Sequence, residues 1–192
     1  MAKGDETKLE KKLIPVIDSY KKIYDLLIES KIKIFTDVTC LPVKGKGNFK
    51  LSFAFSQVDL AIYKELNFNS LKEITKDIKF FGYPKQSKNT FNIPLICFEL
   101  KSGNITSDAI RARNHIANQI KNIYPFAYYV FLAENTRKKD TTVYRQGKHF
   151  THFYISTQKF EDNDYNNIKD NIVTPLLNNL YSNELINKIE KI

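Results

Sequence analysis

Cysteine is nearly absent from this chain: Cys40 and Cys97 stand far apart, each among apolar residues. Two such residues read as buried reduced thiols, not as a disulfide framework. No C-x-x-C and no H-x-x-x-H spacing occurs, which excludes the common zinc sites. There is no G-x-S-x-G elbow, so a serine hydrolase of that kind is excluded. There is no P-loop, so work driven by nucleotide hydrolysis is not expected. No apolar run approaches the length needed to span a bilayer. Met1 to Lys12 is charged and has no signal-peptide apolar region, so a cytoplasmic location is expected and no membrane partner. Internal repeats and low-complexity linkers are missing as well.

What is present is a globular composition, 42% apolar and 13% aromatic, in a length that suits one domain. Lysine and arginine number 30 against 21 acidic residues, a net charge of +9. A polyanionic partner follows, nucleic acid first and an anionic membrane surface second. The abundance of Lys, Asn and Ile also fits an AT-biased coding sequence, so charge alone does not define the partner.

Residues 1–12 form a polar lead-in by this reading. Leu13 to Glu29 has helical periodicity, with Pro15 in the first turn. Lys31 to Phe35 is a short extended piece, and Thr36 to Gly47 a loop. Phe49, Leu51, Phe53 and Phe55 alternate with smaller or polar residues, as in a half-exposed strand or one arm of a hairpin. Val58 to Ile62 is a more buried strand. A short helix is expected within Asn67 to Phe80, and a basic loop over Gly82 to Thr90. Ile93 to Lys101 is a continuous buried strand closed by Ser102-Gly103. Thr106 or Ser107 caps a helix to about Tyr124, and Pro125 ends it. Phe126 to Ala133 is another buried strand, followed by a charged turn over Glu134 to Asp140. Thr141 to Thr157 reads as one or two strands around Gly147. Asp164 to the end reads as helix broken near Pro175. The order predicts an α/β fold, a central mixed β-sheet flanked by helices, with a strand–helix–strand crossover giving a parallel pair. The core is expected over about 13–133, with 134–192 as a strand and helix elaboration.

The Ile93 strand ends in Glu99-Leu100-Lys101. Side chains two apart on a strand share a face, so Glu99 and Lys101 point together and Leu100 points into the opposite layer. The pattern [DE]-x-K occurs at five positions: Glu6, Glu10, Glu29, Asp77 and Glu99. Only the last closes a buried strand, has an aspartate-bearing strand upstream and leads into a helix. If the Asp59 strand is its neighbour, Asp59, Glu99 and the Leu100 carbonyl supply the oxygen ligands that Mg²⁺ prefers. A lysine alongside can orient or deprotonate water, or stabilise charge on phosphorus.

With Gln57-Val-Asp59 and Glu99-Leu-Lys101, the chain resembles the PD-(D/E)xK nuclease superfamily. Val58 stands where that motif usually has proline. The resemblance covers about Asn48 to Ala133 and is most similar to a Type II restriction endonuclease. It implies a restriction-endonuclease-like core and a Mg²⁺-dependent phosphodiesterase, with Mn²⁺ as a substitute. Asp59, Glu99 and Lys101 would be the catalytic residues, and Asp59, Glu99 and Leu100 the metal ligands. The implied partner is duplex DNA, cut by a homodimer. The alternatives are another nuclease on this core (a junction resolvase, toxin nuclease or RNase) and a non-catalytic nucleic-acid-binding domain. A solvated Glu99–Lys101 pair with Asp59 capping a turn is the competing account of the motif.

Other candidates are Asp18, Asp25 and Glu29 as a further carboxylate from the first helix, and Gln119 at the edge of the later helix stripe. Arg113 falls near that stripe and is expected to pair with an acidic group. His115 projects outward. His149, His152, Arg145 and Lys148, with the Lys44–Gly47 turn and the Pro84–Lys88 loop, are candidate DNA contacts.

Overall fold

The computed structural model describes residues 4–42, 49–67, 90–137, 143 and 145–182. Two helices open it, α1 (Gly4–Ile17) and α2 (Ser19–Tyr24). Leu9, Leu13, Ile17 and Tyr20 recur at three- and four-residue spacing and are all buried. The stretch expected as a lead-in is thus helical from Gly4, because Leu9 already packs into the core. Pro15 accordingly lies in the last turn of α1 and not in a first turn. The helix expected to reach Glu29 stops at Tyr24. Asp25 adopts a left-handed conformation (φ 50°) that ends it. Leu27–Ser30 then form strand β1.

Strands β2 (Lys33–Pro42) and β3 (Phe49–Gln57) pair antiparallel, and β4 (Leu60–Asn67) pairs antiparallel with β1. The two pairings share one register, with Ser30 opposite Leu60 and Lys33 opposite Gln57. They form one long ladder interrupted at Lys31–Ile32 and Val58–Asp59. Across the interruption Lys31 N–H donates to the Asp59 carbonyl (2.8 Å) and Val58 N–H to the Ile32 carbonyl (3.0 Å). Lys31, at φ 54°, makes the bend, and the β2–β3 pair leaves the main sheet. The expected loop over Thr36 to Gly47 is therefore strand as far as Pro42, because β3 supplies it with a pairing partner. Residues 43–48 and 68–89 lie outside the described residues. With them go the whole Lys44–Gly47 turn and most of the stretches expected as the short helix and the basic loop, as do 138–142 of the charged turn and 183–192.

Strand β5 (Thr90–Ser102) is the centre of a five-stranded mixed sheet in the order β1-β4-β5-β6-β7. It runs antiparallel to β4 and parallel to β6 (Tyr128–Glu134), which pairs in parallel with β7 (His152–Ile155). Pro94 sits where the β4–β5 register shifts, a place where a strand tolerates a missing N–H. Helix α3 (Ser107–Ile123) makes the crossover, with Thr106 Oγ1 accepting from Ala109 N–H at 3.1 Å as its N-cap.

Alternation along the strands divides the core between two faces. Leu60, Ile62, Ile96, Phe98, Leu100, Val130 and Leu132 pack with α1 and the C-terminal helices. Ala61, Tyr63, Cys97, Tyr129 and Phe131 pack with Ile110, Ala117 and Ile120 of α3. The result is a sheet covered by helices on both sides, an α/β architecture.

Two later expectations need correction. Only His152–Ile155 of the Thr141–Thr157 stretch is strand among the described residues. Gly147 belongs to a turn, its N–H donating to the Val143 carbonyl (2.8 Å) and its carbonyl accepting from Phe150 N–H (2.9 Å). The turn folds the chain back so that the Phe150 ring stacks on Tyr129 and Phe131, with centroids 5.6 and 5.1 Å away. A Cβ at position 147 would lie 2.5 Å from that ring and 3.0 Å from the Val143 carbonyl oxygen. Gly147→Ala is expected to destabilise the fold by about 1–3 kcal/mol, read from denaturant unfolding; an unchanged midpoint would contradict this packing.

The C-terminal helix is also unbroken at Pro175. Helix α4 (Asp162–Ile168), a π-helical turn (Lys169–Val173) and α5 (Thr174–Ser182) follow without a gap. The wider turn ahead of Pro175 accommodates its missing N–H, and Thr174 Oγ1 donates to the Lys169 carbonyl (2.9 Å). Ile168, Val173 and Leu177 enter the core shared with α1.

Candidate active site

Asp59 stands one residue ahead of β4, in the ladder interruption, and Glu99 and Lys101 occupy the end of β5. The last β4–β5 pair is Leu60 with Phe98, so Leu100 extends beyond the partner strand. Its N–H donates instead to Asp59 Oδ2 at 2.9 Å. The aspartate side chain takes the position where the next backbone acceptor would have been. This bond ties the two strand ends together and brings both carboxylates to one place.

Lys101 Nζ lies 2.9 Å from Glu99 Oε1 and 3.8 Å from Asp59 Oδ2. Glu99 and Lys101 share the α3 side of β5, while Leu100 is buried in the opposite core. A second cation arrives from above. Arg113 falls in the α3 stripe with Ile110, Ala117 and Ile120, and its Nε lies 2.8 Å from the same Glu99 Oε1. Two cations thus meet one buried oxygen at ionic-contact distance. Tyr129, on neighbouring β6, donates its hydroxyl to Glu99 Oε2 over a long 3.4 Å.

Glu99 is 0% exposed. Burial raises its pKa, the negative charge of Asp59 raises it further, and Lys101 and Arg113 pull it back only in part. The carboxyl is pushed up to about 7. The Tyr129 phenol is raised as well, by burial first and by Glu99 second.

The donor set fits a hard divalent cation. Two carboxylates come within reach of a single ammonium, one of them is fully buried, and neither a thiol nor an imidazole stands among them. Among the described residues no three Asp, Glu, His or Cys side chains gather as a metal centre, so main-chain oxygen and water would have to complete such a shell.

A cleft of ≈ 330 Å³ opens beside this cluster, lined by Lys101, Ser102, Asn104, Ile105, Ala109, Ala112 and Arg113. Glu134, at the end of β6, is not part of the cluster. Its carboxylate accepts from Ser102 Oγ (3.0 Å) and Phe160 N–H (2.7 Å), which anchors the chain after β7.

The remaining candidates are scattered. Glu29 lies on β1, not on a helix, and accepts from the Tyr63 hydroxyl at 2.8 Å. Asp25 closes α2, and Asp18 pairs with Lys21 at 2.7 Å. Gln119 is half-buried on α3, and no described hydrogen bond or ion pair joins it to the cluster. His115 is exposed. His149 belongs to the turn ahead of β7, its N–H donating to Asn114 Oδ1 at 2.8 Å, and His152 opens β7. Tyr129 was missed by sequence reasoning. Its one signal is a hydroxyl-bearing ring on the strand face it shares with Phe131 and Ala133, and such a hydroxyl needs a buried partner.

No family model matches the chain, and no curated protein matches it in sequence. Among the described residues no helix is long and apolar enough to cross a membrane.

Proposed function

We propose that the chain is a Mg²⁺-dependent phosphodiesterase of the PD-(D/E)xK kind, a cytoplasmic Type II restriction endonuclease that cuts duplex DNA as a homodimer. The observation that carries the reading is the convergence of Asp59, Glu99 and Lys101 at two adjoining strand ends. Together with the Leu100 carbonyl, the two carboxylates would hold the metal, which when bound polarises the phosphodiester and lowers the pKa of its water. Asp59 and Glu99 orient their oxygens from opposite strands, and the Leu100 N–H fixes one Asp59 oxygen in place. Lys101 holds its ammonium at the mouth of the site, where it orients the attacking water and offsets charge developing on the phosphate. Arg113 and Tyr129 hold Glu99 from the helix and from the sheet. The net charge of +9 favours a polyanionic substrate.

Incubation with supercoiled plasmid in Mg²⁺ tests the reading, with EDTA as control. Discrete bands that vanish in EDTA are the expected result. A smear would favour a non-specific nuclease on this core, and an uncut plasmid beside degraded RNA would favour an RNase. Intact DNA and RNA under all conditions would overturn the phosphodiesterase reading.

A further inference from the structure

We infer that Arg113 is a substrate-contacting residue, binding a backbone phosphate of the nucleic acid in the cleft beside Lys101. The inference rests on the nuclease reading and adds a phosphate anchor from α3 to it.

The geometry separates the two ends of the ion pair. Glu99 is 0% exposed at the side chain, whereas Arg113 is 31% exposed and lines the cleft. The guanidinium is therefore the wall between the buried carboxylate and the open space, and a ligand entering the cleft meets the cation first. Its closest approach to Glu99 is 2.8 Å, from Nε to Oε1. Among the described residues the charged side chains lining the cleft are Lys101 and Arg113, both positive. Ser102 and Asn104 add hydrogen-bonding groups, and the small side chains of Ala109 and Ala112 leave room along the helix.

Charge balance points the same way. Asp59 and Glu99 are matched by Lys101 and Arg113. A divalent cation on the two carboxylates would leave an excess of positive charge at the cleft, which a phosphodiester neutralises. Planar guanidinium donors suit phosphate oxygens better than a point charge does.

The test is fluorescence anisotropy of a labelled DNA duplex over a salt series in EDTA, which needs no turnover. Arg113→Gln is expected to weaken binding about tenfold and to lower the slope of log K against log[salt] by roughly 0.9. Arg113→Lys should recover most of the slope and only part of the affinity. An unchanged slope in a folded Arg113→Gln protein would reduce Arg113 to a counterion for Glu99 and overturn the inference alone. Failure of the unsubstituted protein to bind any duplex would overturn the duplex-DNA part of the nuclease reading and the inference together. A second measurement uses the unaltered chain and stands if the variants do not fold. Bound duplex should protect Arg113 from phenylglyoxal while Arg111, 67% exposed on the same helix, stays reactive. Equal modification of both with DNA bound would overturn the inference.

Discussion

Lys101→Ala is expected to lower Mg²⁺-dependent plasmid cleavage by roughly 10²–10⁴-fold while duplex binding changes by less than about tenfold. The substitution removes one of two cations on Glu99 Oε1, and Arg113 remains at 2.8 Å to pair the buried carboxylate. The Asp59 side chain keeps its bond from the Leu100 N–H, so the strand ends stay joined. The protein is thus expected to fold, and the loss falls on the chemistry. Gel assays of cleavage, beside anisotropy of the same duplex, separate the two effects. Cleavage that persists at the original rate would remove Lys101 from the catalytic group. Equal loss of binding and cleavage would make it a phosphate contact only.

Glu99→Gln should abolish the same cleavage yet stabilise the metal-free protein above neutral pH. The Glu99 carboxyl titrates near 4.5 when unperturbed and near 7 in the fold. Between those values the folded state holds a proton that the unfolded state has released. Stability therefore falls as pH rises through that window, and above about 7 the full penalty is present. Its ceiling is about 3 kcal/mol, since each pKa unit corresponds to about 1.4 kcal/mol. The amide in the variant would carry no charge, and Lys101 would keep Asp59 nearby, so a gain of about 1–3 kcal/mol at about pH 8 is expected. Below pH 4.5 the two proteins should melt alike. Thermal melts in EDTA from about pH 4 to 8.5 read this directly. A Glu99→Gln protein that melts lower than the parent in the alkaline part of that range would mean that attraction by Lys101 and Arg113 outweighs burial and the charge of Asp59. Added Mg²⁺ should raise the melting temperature of the parent there, because a ligand of the folded state stabilises it. It should have much less effect on the variant. Loss of stability at a catalytic carboxylate, recovered on binding, is a common compromise between fold and function.

Much of the architecture was legible from the residues. The apolar run Ile93–Phe98 defined the central strand, and the period of Ile110, Ile116, Ile120 and Ile123 defined the crossover helix, with Arg113 near that stripe. The alternation at Glu99, Leu100 and Lys101 assigned the charged pair to one face and Leu100 to the other, and the side-chain contacts follow that assignment. These features are local. They depend on the strand period of two and the helix period of about 3.6, which the backbone imposes wherever the segment ends up.

Elements whose shape depends on distant partners were not legible. Leu9 belongs to a helix because the sheet and the C-terminal helix cover it, and Thr36–Pro42 is a strand because β3 lies beside it. Gly147 sits in a turn because Phe150 must reach Tyr129 and Phe131. Pro175 does not break its helix because a π-helical turn precedes it.

The sequence by itself determined that one charged pair closes a buried strand, that an aspartate stands near the start of another strand, and that the chain carries excess positive charge. Only the tertiary structure decided that these groups meet. Asp59 and Leu100 are 41 residues apart, and no local pattern spans that interval. The interrupted ladder leaves the Asp59 side chain free to bond the overhanging end of β5, and the sheet then draws Tyr129 and Arg113 around Glu99. Burial of that carboxylate is a property of the assembled layers, and it is what gives Glu99 its raised pKa.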